Sequence, residues 1–189
     1  TGSLLIKRAT PYLSTKDVVA DVVIKRDDNW ISNSVDKNHN LNEEEWEYMF
    51  FGSEFYRELL KYDGMLLHAS AVVVDGKAYL FSAKSKTGKS THTSLWLEMF
   101  GDKAYIINDD KPAIRFVDGK FYVYGTPFSG KHDLSRNTRC ELGGICFLAQ
   151  APENKISKMD INDVIFNMLS QTLRHISKDE MDMLLLLMD

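Results

Sequence analysis

Apolar residues recur at helical spacing from Glu43 to Tyr62, where Trp46, Met49, Phe50, Phe55, Leu59 and Leu60 predict an amphipathic helix. Asn42 is placed to cap it, acidic residues fill its first turn, and Gly52 is a candidate break or bend. A helix buries its apolar stripe by default, so this stripe reads as core rather than as a ligand platform. The stretch Arg26 to Asn42, rich in Asp, Asn and Ser, reads as a connection between two parts of one domain.

Beyond the helix the period shortens. Met65 to Val74 and Lys77 to Ser82 are apolar runs around Asp75-Gly76, the signal of a hairpin. Thr87 to Phe100 returns to helical spacing, Ala104 to Ile107 predicts a short buried strand, and a second hairpin joins Ala113–Phe116 to Lys120–Tyr124 through Asp118-Gly119. Gly144 to Ala149 reads as a further strand. Two helices close the chain, one capped by Asp160 with Ile161, Val164, Ile165, Met168 and Leu169 on one face, the other through Met181 to Met188. Hairpins mixed with a strand-loop-helix-strand unit predict an α/β fold with a mixed sheet and flanking helices. No internal repeat interrupts this order. Residues 1–62 are expected to form an accessory N-terminal segment packed on a core at 63–189, the two making one domain.

Composition narrows the classes. The 189 residues are 44% apolar with 11 Gly and 4 Pro, which excludes collagen-like and wholly disordered chains. With 23 basic and 27 acidic residues the net charge is −4, so no global field holds nucleic acid or an anionic membrane, and any anion site must be local. The longest clean apolar run, Met183 to Met188, falls far below the ~18 residues of a membrane span, and no signal segment opens the chain. A start at Thr1 rather than Met reads as a piece of a longer sequence. Cys140 and Cys146 are too few for a disulfide framework and poorly spaced for zinc, which suits reduced thiols and a cytoplasmic protein.

The chemistry concentrates in Ala83-Lys84-Ser85-Lys86-Thr87-Gly88-Lys89-Ser90, a phosphate-binding loop pattern with Ala for its first Gly, set between a predicted strand and a predicted helix. Such a loop aims successive N–H groups and a helix N-terminus at phosphate oxygens; Lys89 would reach the outer phosphates, Ser90 would offer a hydroxyl to Mg²⁺, and Thr91 follows on the first turn. The bland alternative is a chance Gly-Lys-Ser in a surface loop. Asp109-Asp110 follows a strand that could lie beside the loop's own strand, whence one carboxylate could hold Mg²⁺ and the other accept a proton. Equally, Asn-Asp-Asp-Lys-Pro suits a solvated turn. His68, on the hairpin's first strand, is either a satisfied core histidine or a group facing the phosphates.

Leu67-His68-Ala69-Ser70-Ala71-Val72, then Ser85-x-Thr87-Gly88-Lys89-Ser90, then Asn108-Asp109-Asp110 resembles the nucleotide-binding core shared by HPr kinase/phosphorylase and ATP-dependent phosphoenolpyruvate carboxykinase. The resemblance covers Met65 to Pro112. It implies that His68, Lys89, Ser90, Asp109 and Asp110 share one site, with His68 and the Asp pair serving metal binding and proton transfer. More weakly, Gly125 to His132 and Arg136-Asn137 look like the loop that such proteins place against the phosphoryl site, with Lys131 or Arg136 neutralising charge; a solvated basic loop is the alternative.

The implied activity is ATP- and Mg²⁺-dependent transfer of a γ-phosphoryl group to a hydroxyl, with a serine of a peptide or small protein as acceptor. Carboxykinase activity is not expected of 189 residues. HPr kinases assemble as hexamers, so a homo-oligomer is one form the resemblance allows. Lys86 departs from the pattern, since both families usually have Gly there. If that residue needs a positive φ, the loop is strained and nucleotide binding suffers, which leaves a catalytically impaired nucleotide- or phosphate-binding module as the other reading.

Overall fold

In a computed structural model, which describes residues 2–26, 41–173 and 177–189, seven strands build one mixed sheet. They are β1 (Gly64–Leu66), β2 (Ala69–Val74), β3 (Lys77–Ser82), β4 (Ala104–Asn108), β5 (Ala113–Val117), β6 (Lys120–Tyr124) and β7 (Arg139–Phe147), in the spatial order β1-β5-β6-β7-β3-β2-β4. Most of the polar stretch from Arg26 to Asn42 lies outside the described residues.

Both hairpins form where turn chemistry placed them. Asp75 and Gly76 sit at φ of 48° and 79°, and Asp118 and Gly119 at 51° and 79°. That left-handed pair matches strand twist and fixes the registers Val74↔Lys77 and Val117↔Lys120. The apolar run from Met65 to Val74, however, is two strands. It divides at Leu67-His68, where the His68 N–H donates to the Gln171 carbonyl (2.7 Å) and the Ala69 N–H to that of Asp110 (3.1 Å). β1 then pairs with β5, while β2 pairs antiparallel with both β3 and β4. β4 is therefore one strand removed from β3, not beside it as expected, because β2 lies between them. β7 begins at Arg139, five residues before Gly144, since partners on both sides recruit the polar stretch: Tyr124↔Arg139 on β6 and Lys77↔Glu141 on β3. β3 and β7 are the parallel pair.

Among the described residues five α-helices flank the sheet: α1 (Ser3–Ala9), α2 (Glu43–Leu59), α3 (Lys89–Phe100), α4 (Ile161–Gln171) and α5 (Lys178–Met188). Asn42 and Glu45 form a reciprocal capping box at α2, Asp160 caps α4, and Ser177 with Glu180 boxes α5. α2 runs straight through Gly52, because the absent Cβ makes room for Phe128: a methyl there would stand 3.1 Å from the ring. Its buried face is Tyr48, Gly52, Tyr56 and Leu59, whereas Met49 of the expected stripe is exposed. α1 carried no signal in the sequence.

Alternate residues of β2 feed two cores. Ala69, Ala71 and Val73 join Leu80, Ile107, Met168 and Leu184 beneath α4 and α5, and Val72 and Val74 join Phe81 and Ile106 beneath α3. A third cluster, Tyr48, Tyr56, Leu59, Ala113 and Phe128, seats α2 on the loop after β6. No helix among the described residues is long and apolar enough to cross a membrane.

Gly125 starts that loop in close backbone contact: a Cβ there would lie 1.9 Å from the Arg136 carbonyl oxygen and 2.7 Å from that of Ile107. Backbone cannot retreat cheaply. Gly125→Ala should cost about 3 kcal/mol or more in urea unfolding, and a loss below about 1 kcal/mol would show that the approach is not close.

Candidate functional site

Because β2 is antiparallel to β3 and β4, its amino end and their carboxyl ends share one edge of the sheet. His68 precedes β2, residues 83–88 follow β3, and Asp109 and Asp110 follow β4. Ser82 fastens the edge by donating from Oγ to the His68 carbonyl (2.9 Å). A cleft of about 400 Å³ opens there. It is lined by His68; by Ser85, Lys86, Gly88, Lys89, Ser90 and Thr91; by Asp109 and Asp110; and by Gly130, Lys131 and His132.

The loop after β3 is a tight turn. Thr87 returns both its N–H (3.3 Å) and its hydroxyl (2.9 Å) to the Lys84 carbonyl. Thr87 faces a neighbouring cleft instead of the main one. Lys86 sits at φ 67° and Gly88 at φ 114°, so the turn demands left-handed backbone where the chain has a lysine. Such a residue costs about 1–2 kcal/mol relative to glycine's freedom. Gly88 caps α3, whose first-turn amides at Lys89, Ser90 and Thr91 have no intrahelical acceptor, and these three residues line the cleft. Lys89 Nζ donates to the Ala83 carbonyl (2.9 Å), and partial burial lowers its proton affinity against the opposing pull of Asp110.

Asn108 builds the acidic end. Fully buried, it donates from Nδ2 to the carbonyls of Thr126 and Phe128, both at 3.2 Å. Its Oδ1 accepts from the N–H groups of Asp110 (3.0 Å) and Lys111 (2.7 Å). The chain turns around this side chain and presents the two aspartates to different partners. Asp109 is buried, and its Oδ1 accepts the Gly130 N–H at 2.8 Å. Burial pushes its carboxyl above the ordinary aspartate value, only partly offset by that N–H. For Asp110 burial also pushes upward, but His68 Nε2 (3.1 Å) and Lys111 Nζ (3.2 Å) outweigh it and hold the carboxyl at about 2. His68 Nδ1 meets Gln171 Oε1 at 3.1 Å, so both ring nitrogens are engaged.

The basic loop separates. Lys131 lines the cleft, whereas the Arg136 guanidinium stacks 4.5 Å over the Tyr105 ring and is not part of the lining. Arg8 on α1, which nothing in the sequence singled out, supports the loop instead. Its Nη1 donates to the Ser129 carbonyl (2.7 Å) and Tyr48 hydroxyl (2.8 Å), its Nη2 to the Gly130 carbonyl (3.2 Å), and its Nε lies 3.5 Å from Asp133. The Ser129–Gly130 peptide thus accepts from Arg8 on one side and donates to Asp109 on the other. Tyr12 bonded to Ser135, and Asn137 bonded to the Pro11 carbonyl, hold the loop's far end.

Among the described residues no group of three or more His, Cys, Asp and Glu side chains forms a ready metal cage. Among the described residues the cleft's hard side-chain oxygens are the Asp109 and Asp110 carboxylates and the hydroxyls of Ser85, Ser90 and Thr91. Mg²⁺ suits that set, since it keeps several waters and takes one or two carboxylates with phosphate oxygens. Opposed carboxyl proton affinities beside a positive loop can divide the work of ion binding from that of proton acceptance.

No protein-family model matches the chain, and no curated protein does. Among solved structures, the HPr(Ser) kinase/phosphatase from Coxiella burnetii is similar, with a TM-score of 0.36 and 15% identity over 48% of this chain and 69% of that one. The likeness is distant.

A folded-state value below the unfolded one means that ionised Asp110 stabilises fully above the ordinary aspartate value of 3.8, a contribution lost as the pH falls toward about 2. Carboxyl-carbon NMR should give a midpoint near 2 for Asp110 and one above 3.8 for Asp109, and His68→Ala should raise the Asp110 midpoint. Two coincident midpoints near 3.8 would contradict the opposed environments.

Proposed function

We propose that the protein is an ATP- and Mg²⁺-dependent phosphotransferase that passes the γ-phosphoryl group to a hydroxyl, with a serine of a peptide or small protein as acceptor. One observation carries the reading: a single cleft is lined by the first-turn residues of α3, Lys89, Ser90 and Thr91, and by two carboxylates of opposed proton affinity. Lys89 leaves the Ala83 carbonyl for the outer phosphates, and the loop amides hold their oxygens. Ser90 and ionised Asp110 would hold Mg²⁺, which supplies charge neutralisation at the phosphates. Asp109, with its raised proton affinity and its anchor on Gly130, accepts the hydroxyl proton as the acceptor oxygen bonds to phosphorus. The bond from the γ-phosphorus to the bridging oxygen breaks, and ADP leaves with that electron pair. His68 orients Asp110, and Lys131 adds positive charge at the open side.

Calorimetry should detect Mg-ATP binding to the wild type, weakened about tenfold or more by Lys89→Ala. With γ-labelled ATP and serine peptides, Asp109→Asn should keep binding but lose about 10²–10⁴-fold in transfer. Absence of binding heat in the wild type would overturn the nucleotide reading, and undiminished transfer by Asp109→Asn would remove that residue as the base.

A nucleotide- or phosphate-binding module without transfer is the second reading, favoured by Lys86 at φ 67°. Replacing Lys86 with Gly relieves about 1–2 kcal/mol of left-handed strain but restores glycine's unfolded-state freedom, for a net gain of about 0.5 kcal/mol. Lys86→Gly should therefore gain about 0.5 kcal/mol in urea unfolding, and no gain would show that the left-handed turn is unstrained. Mg-ATP binding with no transfer by either form would favour the module.

A further inference from the structure

A second cleft, of about 290 Å³, lies across the 83–88 loop from the first. It opens at the carboxyl ends of β3 and β7, the parallel pair, where Leu148 continues the pairing by donating its N–H to the Ser82 carbonyl (2.8 Å). Carboxyl ends of parallel strands followed by a helix-opening loop are where α/β sheets take ligands. Ala83 and Thr87 form the wall shared with the loop, and Gln150 reaches across to the Thr87 carbonyl at 3.4 Å. Phe147 and Leu148 contribute apolar surface, and Asn167 and Gln171 bring amide groups from α4.

Among the described residues the lining suits an uncharged ligand, since Lys84 is the one ionisable group there. Side-chain amides carry both donors and acceptors, which matches the mixed edge of a nitrogen heterocycle, and apolar surface matches its face. The volume sits at the low end of the small-ligand range of about 300–1,000 Å³, enough for a flat base and not for a whole nucleotide. Gln171 lines this cleft and also meets His68 at the edge of the first, so the two are contiguous around one loop.

We infer that this second cleft takes the base of a nucleoside phosphate whose phosphates lie in the first. The inference rests on the phosphate-cleft reading above and adds to it a site for the nucleoside. It makes the protein select nucleoside polyphosphates over bare polyphosphate, with the discrimination made by residues outside the phosphate cleft.

The test compares Mg-ATP with magnesium tripolyphosphate, which has no nucleoside, by calorimetry on the whole chain. The wild type should bind ATP about tenfold or more tightly than tripolyphosphate. Ala149→Trp, an exposed position at the cleft's margin, should fill the cleft and abolish that preference while leaving tripolyphosphate binding within about twofold. Asn167→Leu, which keeps the volume but removes the amide, should reduce the preference in the same direction. Equal affinity of the wild type for both ligands would overturn this inference alone, as would an ATP preference that survives both substitutions or parallel losses for both ligands. If neither ligand binds the wild type, the phosphate-cleft reading falls as well.

Discussion

The site depends on one strand. β2 is buried along its whole length and pairs antiparallel on both sides, which places its amino end beside the carboxyl ends of β3 and β4. Groups that are far apart in the chain meet because that strand reverses direction between its neighbours. His68, Lys89 and the Asp109-Asp110 pair are successive consequences of this arrangement. Ser70 strengthens it from the other face through its bond to Thr93 (3.0 Å), which ties the strand to the helix carrying Lys89 and Ser90.

Within that frame, polar groups are arranged by burial with partners rather than by exposure. Asn108 could not sit fully buried unless its amide were satisfied, and satisfying it requires the 126–128 loop and the turn at Asp110 and Lys111 together. Tyr56 adds to the same knot, bonding to the Lys111 carbonyl and to Thr126 Oγ1 (2.9 Å). Arg8 extends it to the N-terminal helix. A guanidinium that is mostly shielded from water and bonded to two backbone carbonyls is a costly group to strand, so α1 and the loop against Asp109 stand or fall together. The segment read as an accessory therefore touches the same loop that lines the cleft.

Much of this was legible from residue order. Asp-Gly turns announced both hairpins because their left-handed backbone has few other solutions, and Asn42 and Asp160 announced helix starts through their own hydrogen bonds. The strand-loop-helix setting of Lys89 and Ser90 was equally plain. Less visible were features set by partners distant in sequence. Nothing local says that Leu67-His68 interrupts a run of strand formers, since the interruption is held by Gln171 and Asp110. The start of β7 at a polar stretch follows from its two neighbours, not its own residues. Arg136 looked as suited to the site as Lys131 until Tyr105 offered its ring, and Arg8 and Gln171 lack any short-range signature. Asn108 could have been singled out, because an asparagine before an acidic pair is a turn former whose side chain seeks backbone amides.

We propose that the edge of the sheet around β2 holds a polyphosphate between the 83–90 loop and the two aspartates. A crystal structure of the protein with Mg²⁺ and a non-hydrolysable ATP analogue tests it most directly. The terminal phosphate should lie within hydrogen-bonding reach of Lys89 and of the first-turn amides of α3, with Asp109 and Asp110 on its open side. An analogue bound elsewhere on the molecule, or a cleft in which Lys89 still holds the Ala83 carbonyl at saturating analogue, would contradict it.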